Sequence, residues 1–204
     1  MIVVISLLSL LTLTLGVPLT ADDLTLFDFT DSSSTPNLDA WKEVSDTVRV
    51  PGKSKAAFVL QQTKVFQRAV FFGMLNPQPN GAGFAGFRTA MPALSDSQKN
   101  AQGLSLNVRG QGELDYYKIV LNQADVNYDF EYKFLITQKD SFTEQKLLFS
   151  DFKAYYRGKE VANPVPLDLL KVDKISLQTF GGVYEQYKQS GTGSLEIDNI
   201  TFFN

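Results

Sequence analysis

Two short segments decide the fold class: LSLNVR at residues 104–109 and FEYKFLI at residues 130–136. Apolar side chains recur at every second position in both segments. Successive side chains of a β-strand point to opposite faces of a sheet, so this spacing predicts two strands that each bury one face.

Similar segments recur along the chain with turn signals between them. The turns include Asn76–Gly81, Gly110–Gly112 and Ser190–Gly193, and no long helical pattern interrupts the series. Many short strands without helices predict an all-β fold, an antiparallel β-sandwich. The further predicted strands are Leu24–Phe29, Ala56–Leu60, Val65–Phe72, Tyr117–Leu121, Lys146–Phe149, Lys174–Phe180 and Ser194–Phe203.

The composition narrows the function. The 204 residues are 44% hydrophobic with a net charge of -3, which predicts a folded chain and gives no electrostatic reason to expect a nucleic-acid partner. The chain has no Cys and no His, so disulfides, zinc–thiolate sites and Ser-His catalysis are excluded. We predict no cofactor, no bound metal and no enzymatic activity.

The first residues differ from the rest. Ile2–Leu15 contains only Ile, Val, Leu, Ser and Thr, and the small residues Thr14 and Gly16 precede Val17. This pattern predicts a signal peptide at residues 1–16 and one secreted, extracellular domain at residues 17–204, without a stable membrane span after cleavage. An uncleaved anchor is the weaker alternative. A mitochondrial transit peptide is disfavoured, because the first basic side chain is Lys42.

A series of short motifs resembles the complex I intermediate-associated protein 30 family. The resemblance covers nearly all of Leu26 to Ile200 in the family's order, and it implies a galactose-binding-like β-jelly-roll with a non-catalytic binding face. It points to four ligand-binding candidates: Trp41, Asp46, Arg88 and Arg109. The motifs that carry it are Trp41–Val48, Gly52–Ser54, Gly83–Arg88, Gly103–Gly112, Phe149–Phe152, Arg157-Gly158 and Gly193–Ile200.

Two kinds of side chain carry alternative interpretations. Arg88 and Arg109 either close internal ion pairs, which is the favoured role, or offer a guanidinium fork to a carboxylate or a sugar hydroxyl. Aromatic side chains beside Arg and Asn would suit a saccharide, although packing at the rim of the sandwich is the better-supported alternative. The tyrosines concerned are Tyr116, Tyr117, Tyr155, Tyr156, Tyr184 and Tyr187.

Carboxylates suggest two further kinds of site. Glu196 and Asp198 lie two residues apart on a predicted strand, at a separation that suits a glycosidase. The favoured interpretation is that Leu195 and Ile197 face the core and the two acids face water, which needs no chemistry. Calcium binding is conceivable at Asp125, Asp129 and Glu131 or at Asp22, Asp23 and Asp28, but neither group has EF-hand spacing. We therefore predict no metal ligand.

Asn199 begins the sequon Asn199-Ile200-Thr201, which makes it a glycosylation candidate. Its exposure depends on strand register, since Leu195 and Ile197 have one parity and Ile200 and Phe202 the other. A β-bulge near Asp198 would reconcile the two sets.

These observations favour a secreted, non-catalytic binding or chaperone-like module that uses a jelly-roll face or loop rim to bind a protein or a carbohydrate. A carbohydrate-active hydrolase with paired carboxylates is the alternative from another class. The resemblance also implies a mitochondrial complex I assembly factor, if the leader is not secretory.

Overall fold

The computed structural model describes residues 24–204, which fold into two packed antiparallel β-sheets. The predicted signal peptide at residues 1–16 lies outside the described residues. The strands are β1 (Thr25–Asp28), β2 (Lys42–Ser45), β3 (Lys55–Gln62), β4 (Gln67–Leu75), β5 (Phe84–Ala90), β6 (Gly103–Gly112), β7 (Tyr116–Gln123), β8 (Asp129–Leu135), β9 (Thr143–Leu148), β10 (Lys153–Tyr156), β11 (Lys159–Glu160), β12 (Val172–Phe180) and β13 (Gly191–Phe203).

Sheet 1 has the strand order β3-β4-β13-β6-β9, and β1 pairs with the far end of β13. Sheet 2 has the order β11-β10-β8-β7-β12-β5-β2. Every pair of neighbouring strands is antiparallel. The predicted all-β sandwich is therefore confirmed.

The alternation that predicted the strands also fills the core. Leu104, Leu106 and Val108 of β6 are fully buried, and Phe130 and Phe134 of β8 reach the same core from the other sheet. Each such side chain contributes about 1.5–3 kcal/mol relative to an exposed one. The two sheets are held together mainly by this shared apolar layer.

Strand β13 changes parity at Asp198. Before Asp198 the buried apolar residues are at odd positions, Leu195 and Ile197. After Asp198 they are at even positions, Ile200 and Phe202. The pairing of β13 with β6 shifts register between Ile197 and Asn199, which is the bulge that the sequence pattern required.

The sequence misplaced two turns and missed several strands. Ser190–Gly193 was predicted as a turn, but β13 already begins at Gly191. Gly110–Gly112, predicted as a hairpin turn, belongs to β6, and the connection to β7 lies at residues 113–115. Gly110 is needed for close packing, since a Cβ there would lie 2.8 Å from Cγ2 of Ile136. Gly86 hid β5 in the same way, because its Cβ would lie 2.3 Å from the carbonyl oxygen of Leu177. Strands β2, β10 and β11 were also not predicted.

Within the part of the chain that the structure describes, helical structure is limited to short turns. The 3₁₀ helices between Leu38 and Lys171 have three residues each. Within residues 24–204, no helix has the length and apolar character needed to cross a membrane.

Candidate functional site

A cleft of about 530 Å³ lies on the solvent-facing side of sheet 2. Its floor comes from β5, β12, β7 and β8, and its walls come from residues 46–49, 80–82, 155–158 and 182–185. We call it the sheet 2 cleft. Its volume is in the range of small-molecule sites.

The floor of the cleft is polar because of strand register. Pairing places Arg88, Ser176, Val120 and Glu131 in one row across four strands. The next row contains Gln178, Lys118 and Lys133. Residues at the intervening positions, such as Phe87 and Leu177, pack into the core. The outward positions therefore place hydrogen-bonding groups on the floor beside the apolar side chains of Val120 and Phe180.

Two lysines neutralise acids within this floor. Lys118 Nζ lies 2.5 Å from buried Glu131, and Lys133 Nζ lies 2.5 Å from Glu185 and 3.8 Å from Glu131. Lys133 also lies 3.8 Å from the ring centroid of Tyr155. Burial lowers the pKa of Lys133, but the hydrogen bond to Glu185 and the nearby Glu131 charge outweigh it and raise the pKa overall. These charges hold one another in place.

Arg88 differs from these lysines. It is half-buried, lines the cleft, and donates from Nε to Ser176 Oγ at 3.2 Å. Within residues 24–204 it forms no ion pair within 4.0 Å. Its terminal nitrogens are therefore open to a ligand.

Asp129 is a half-buried carboxylate in the cleft lining, close enough to Arg88 for their charges to interact. Burial raises the pKa of Asp129, and the Arg88 charge and a hydrogen bond from Asn122 only partly offset this effect. Asp129 therefore adds acceptor oxygens to the cleft lining, beyond ion-pair distance from Arg88.

The wall at residues 182–185 belongs to a compact loop, residues 182–188, in which three carbonyl groups surround the ammonium group of Lys188. Lys188 Nζ donates to the carbonyl oxygen of Gly182, and to those of Val183 at 3.2 Å and Glu185 at 2.9 Å. Gly182 has a φ of +72°, which favours glycine. The loop presents Tyr184, whose side chain is 61% exposed.

The neighbouring wall is the β10–β11 hairpin. Arg157 and Gly158 both have positive φ, at 52° and 78°, as a two-residue hairpin turn requires. Tyr184 packs over Gly158, where a Cβ would lie 2.9 Å from its ring. Tyr156, 46% exposed, lies beside Arg157. The two walls thus meet through an aromatic contact.

The structure brings two of the four ligand-binding candidates, Asp46 and Arg88, to the sheet 2 cleft and places Trp41 and Arg109 elsewhere. Trp41 is buried in the core, with ring centroids 5.0 Å from Phe27 and 5.2 Å from Phe58. Its environment gives it a packing role and corrects the expectation that it could face a ligand. Arg109 lies on the outer surface of sheet 1, whereas Arg88 lies in the sheet 2 cleft.

Asp46 lies at the edge of the cleft but is buried. It accepts hydrogen bonds from the backbone N–H groups of Ser54 and Gly83, both at 2.9 Å, and from Ser54 Oγ at 3.2 Å. The side chain joins three segments of backbone. These bonds make Asp46 a positioning group for the cleft wall.

Arg109 belongs to a cluster on sheet 1, here called the Arg–Glu cluster, made of Arg68, Arg109 and Glu196. Glu196 accepts from Arg68 at 2.6 Å and from Arg109 at 2.8 and 2.7 Å. The rings of Phe66 and Phe142 lie 4.2 and 4.6 Å from the Arg68 guanidinium. Arg109 therefore closes an internal ion pair.

The same contacts argue against the carboxylate pair as a glycosidase site. Burial raises the pKa of Glu196, but hydrogen bonds from Arg109 and Arg68 outweigh it and leave the pKa below its usual value. Burial raises the pKa of Asp198, which lies 3.7 Å from Arg68. Glu196 is only 6% exposed. The arginines occupy the positions where a substrate would have to approach Glu196.

The calcium alternatives gain no support from geometry. Asp125 pairs with Lys171 at 2.8 Å, and Glu131 pairs with Lys118. Between Leu24 and Asn204, no group of three or more acidic side chains is arranged to hold a metal ion. Asp22 and Asp23 lie outside the described residues.

Asn199 is half-buried and pairs with Asn107 of β6 and Asp28 of β1. Its glycosylation stays a prediction.

Some of the tyrosines pack at the rim of the sandwich, and others line the cleft. Tyr117 is buried, and Tyr116 stacks on Tyr187 at 3.7 Å, which is packing at the rim. Tyr155, Tyr156 and Tyr184 line the sheet 2 cleft. Sequence reasoning missed Lys118 and Gln178 in the floor. Both residues alternate with buried apolar residues of β7 and β12, and this alternation could have identified them as outward-facing.

Comparison with known proteins places the chain among β-sandwich modules. The family model for complex I intermediate-associated protein 30 matches residues 27–197. No curated protein sequence matches the chain. The family 11 carbohydrate-binding module from Clostridium thermocellum, solved with a beta-1,3-1,4-mixed-linked tetrasaccharide, is similar with a TM-score of 0.57 and 16% identity over 86% of this chain and 95% of that chain.

An exo-beta-agarase is similar with a TM-score of 0.53 and 14% identity, over 89% of this chain and 25% of the agarase. At these identities the likeness shows the fold alone, a β-sandwich of the jelly-roll type.

Proposed function

Because the chain belongs to the complex I intermediate-associated protein 30 family and carries an open polar cleft on sheet 2, we propose that it is a secreted, non-catalytic module that binds carbohydrate.

The sheet 2 cleft is the observation that carries this proposal. Exposed Tyr184 and Tyr156 stand at its wall, above a floor that contains Gln178 and Arg88. An aromatic ring offers a flat apolar surface for a sugar ring, and convergent amide, guanidinium and carboxylate groups match hydroxyls. A structurally similar module was solved with a tetrasaccharide, which supports the same ligand class here.

The non-catalytic part of the proposal rests on the Arg–Glu cluster. Glu196, the candidate acid of a hydrolase, is enclosed by Arg68 and Arg109 and has a lowered pKa. Incubation of the chain with oligosaccharides should give no shorter products by mass spectrometry. Turnover that disappears on Glu196→Gln would contradict this part of the proposal.

A glycan array probed with the purified chain tests the ligand class. Tyr184→Ala should reduce binding at least about tenfold, because an exposed aromatic anchor is lost from the cleft. Phe72→Ala is the matched control, since Phe72 is 48% exposed on the outer surface of sheet 1. No selective binding, or equal losses in both variants, would contradict the proposal.

The proposed export is motivated by residues 1–16 of the sequence. Amino-terminal sequencing of material released by cells should begin near Val17. Retention of the native chain inside mitochondria would favour the complex I assembly role instead.

A chaperone-like role is the second candidate, favoured by an apolar patch on sheet 1. Val59, Phe72 and Met74 are exposed on neighbouring strands β3 and β4. The patch would suit apolar segments of partly assembled proteins, as the family name implies. In that case the chain should suppress light scattering by a heat-unfolded protein, and Phe72→Ser should lose this effect while Tyr184→Ala keeps it.

A further inference from the structure

The sheet 2 cleft has more cationic than anionic side chains, whereas the whole chain has more anionic ones. Five Lys and Arg side chains and four carboxylates line the cleft, whereas the chain carries a net charge of -3. The cleft is thus a locally cationic part of an acidic protein, which bears on the charge of its ligand.

Most of the charges inside the cleft are already matched. Glu131 is paired with Lys118, and Glu185 is paired with Lys133. Asp46 is held by backbone N–H groups, as described above. Three guanidinium groups, those of Arg49, Arg88 and Arg157, remain against the single carboxylate of Asp129.

Arg88 carries the strongest evidence among these three. Among residues 24–204, it is the one half-buried Lys or Arg without a carboxylate within 4.0 Å. A partly desolvated guanidinium with unmatched N–H groups costs free energy unless a partner arrives. Each of the other half-buried cations has such a partner: Arg68, Arg109, Lys118, Lys133 and Lys139.

The hydrogen bond from Arg88 Nε to Ser176 Oγ constrains the guanidinium plane. Ser176 is fully buried, so this anchor is rigid. The terminal nitrogens are then presented to the cleft as a fixed fork, the geometry that pairs with two oxygens of one anion.

We propose that the sheet 2 cleft binds an acidic saccharide and that Arg88 receives its anionic group, either the carboxylate of a uronic acid or a sulfate ester. This inference rests on the carbohydrate-binding function proposed above. Arg49 and Arg157 are exposed at the rim and attract the anion as it approaches.

Asp129 favours a sugar over a densely charged anion. Its carboxylate accepts from Asn122 and lies near enough to Arg88 for their charges to interact. It repels a second anionic group but accepts hydrogen bonds from hydroxyls. A ligand with one anionic group among several hydroxyls matches this arrangement.

Calorimetry with four probes of matched length tests the inference: a neutral oligosaccharide that carries one uronic acid residue, the methyl ester of this probe, the same oligosaccharide with one sulfate ester in place of the uronic acid carboxylate, and oligoglutamate. The uronate or the sulfate probe should bind at least about tenfold tighter than the methyl ester, and the tighter of the two identifies the anion. The preference should weaken as NaCl rises from about 0.05 to 0.5 M.

Three variants assign the effect to Arg88. Arg88→Gln should weaken binding of the acidic probe about 10- to 100-fold and binding of the methyl ester less than about threefold. Arg88→Lys should restore only part of this loss, since an ammonium lacks the fork. Lys42→Gln is the matched control. Lys42 of β2 lies opposite Arg88 of β5 in the strand register, but its side chain is exposed and outside the cleft lining.

The outcomes separate the two proposals. Equal affinity for the acidic probes and the methyl ester, or equal losses for both on Arg88→Gln, would overturn the acidic ligand while carbohydrate binding stands. Oligoglutamate binding as tightly as the acidic sugars would also overturn it. Absence of binding to every sugar probe would overturn both proposals.

Discussion

Arg109 and Arg88 occupy outward positions on the two sheets, and their surroundings differ. On sheet 1, Glu196 meets both Arg109 and Arg68 at hydrogen-bond distance. On sheet 2, Arg88 reaches a serine hydroxyl and the open cleft. An arginine thus supports the fold where a buried carboxylate pairs with it, and it is available to a ligand where no carboxylate does.

Removing the carboxylate that Arg68 and Arg109 share should have the largest effect on stability. Glu196→Gln leaves Arg109 without a carboxylate and leaves Arg68 with Asp198 alone, at 3.7 Å, so the free energy of unfolding should fall by about 3 kcal/mol. Urea denaturation measures this change. Glu160→Gln, which removes an exposed acid paired with Lys153, should cost less than about 1 kcal/mol. Similar losses in both variants would contradict the distinction.

Removing one arginine of the cluster should have a smaller effect. Arg109→Gln leaves Glu196 with Arg68 and Gln111, so we expect a loss of about 1–3 kcal/mol in the free energy of unfolding. Saccharide binding should be unchanged, because Arg109 lies on the other sheet. Loss of binding by the folded variant would show that the two surfaces are coupled.

Acid should weaken the Arg–Glu cluster selectively. The pKa of Glu196 in the folded chain lies below its usual value of 4.5. Its contribution to stability is therefore present above pH 4.5 and is lost as the pH falls through the lower, folded-state pKa. The stability difference between the wild-type chain and Glu196→Gln should narrow over this range in urea titrations at stepped pH. A difference that grows on acidification would reverse the assigned sign.

The Lys188 loop should affect the cleft more than the fold. Lys188→Met removes donors to three carbonyl groups, so the free energy of unfolding should fall by about 1 kcal/mol. Saccharide affinity should fall several-fold as Tyr184 loses its support, as measured by calorimetry. A Lys174→Met control alters a lysine paired only with its neighbour Asp173 and should leave affinity unchanged.

Arg88 itself should matter least to stability. Arg88→Gln breaks no ion pair and loses only the hydrogen bond to Ser176, so the free energy of unfolding should fall by no more than about 1 kcal/mol. Thermal unfolding of this variant beside Arg109→Gln sharpens the comparison directly. A loss as large as that of Arg109→Gln would give Arg88 the structural role instead.

The sequence predicted the parts of the fold that follow from local spacing. Leu104 and Leu106 marked a buried strand face without knowledge of its neighbours, whereas Gly110 was misassigned because its need for close packing against Ile136 depends on another strand. The parity change at Asp198 could be predicted because the apolar residues on either side of it belong to the same strand.

The candidate site was harder to predict for the same reason. Arg88 and Arg109 are equivalent as local sequence, and only their partners distinguish them. Glu196 lies 87 positions from Arg109, so its contact depends on the register of β13 against β6. Tyr184 could be singled out by type, but its place beside Gly158 depends on how two loops meet.

The position of β13 constrains the order in which the protein can be assembled. This strand follows the other twelve along the described chain, yet it lies at the centre of sheet 1 between β4 and β6. A ribosome therefore delivers the flanking strands before their common partner, and each must wait with an open hydrogen-bonding edge. Such an interval slows folding and invites pairing with other nascent chains, so we expect efficient biogenesis to require protection of these edges until β13 emerges.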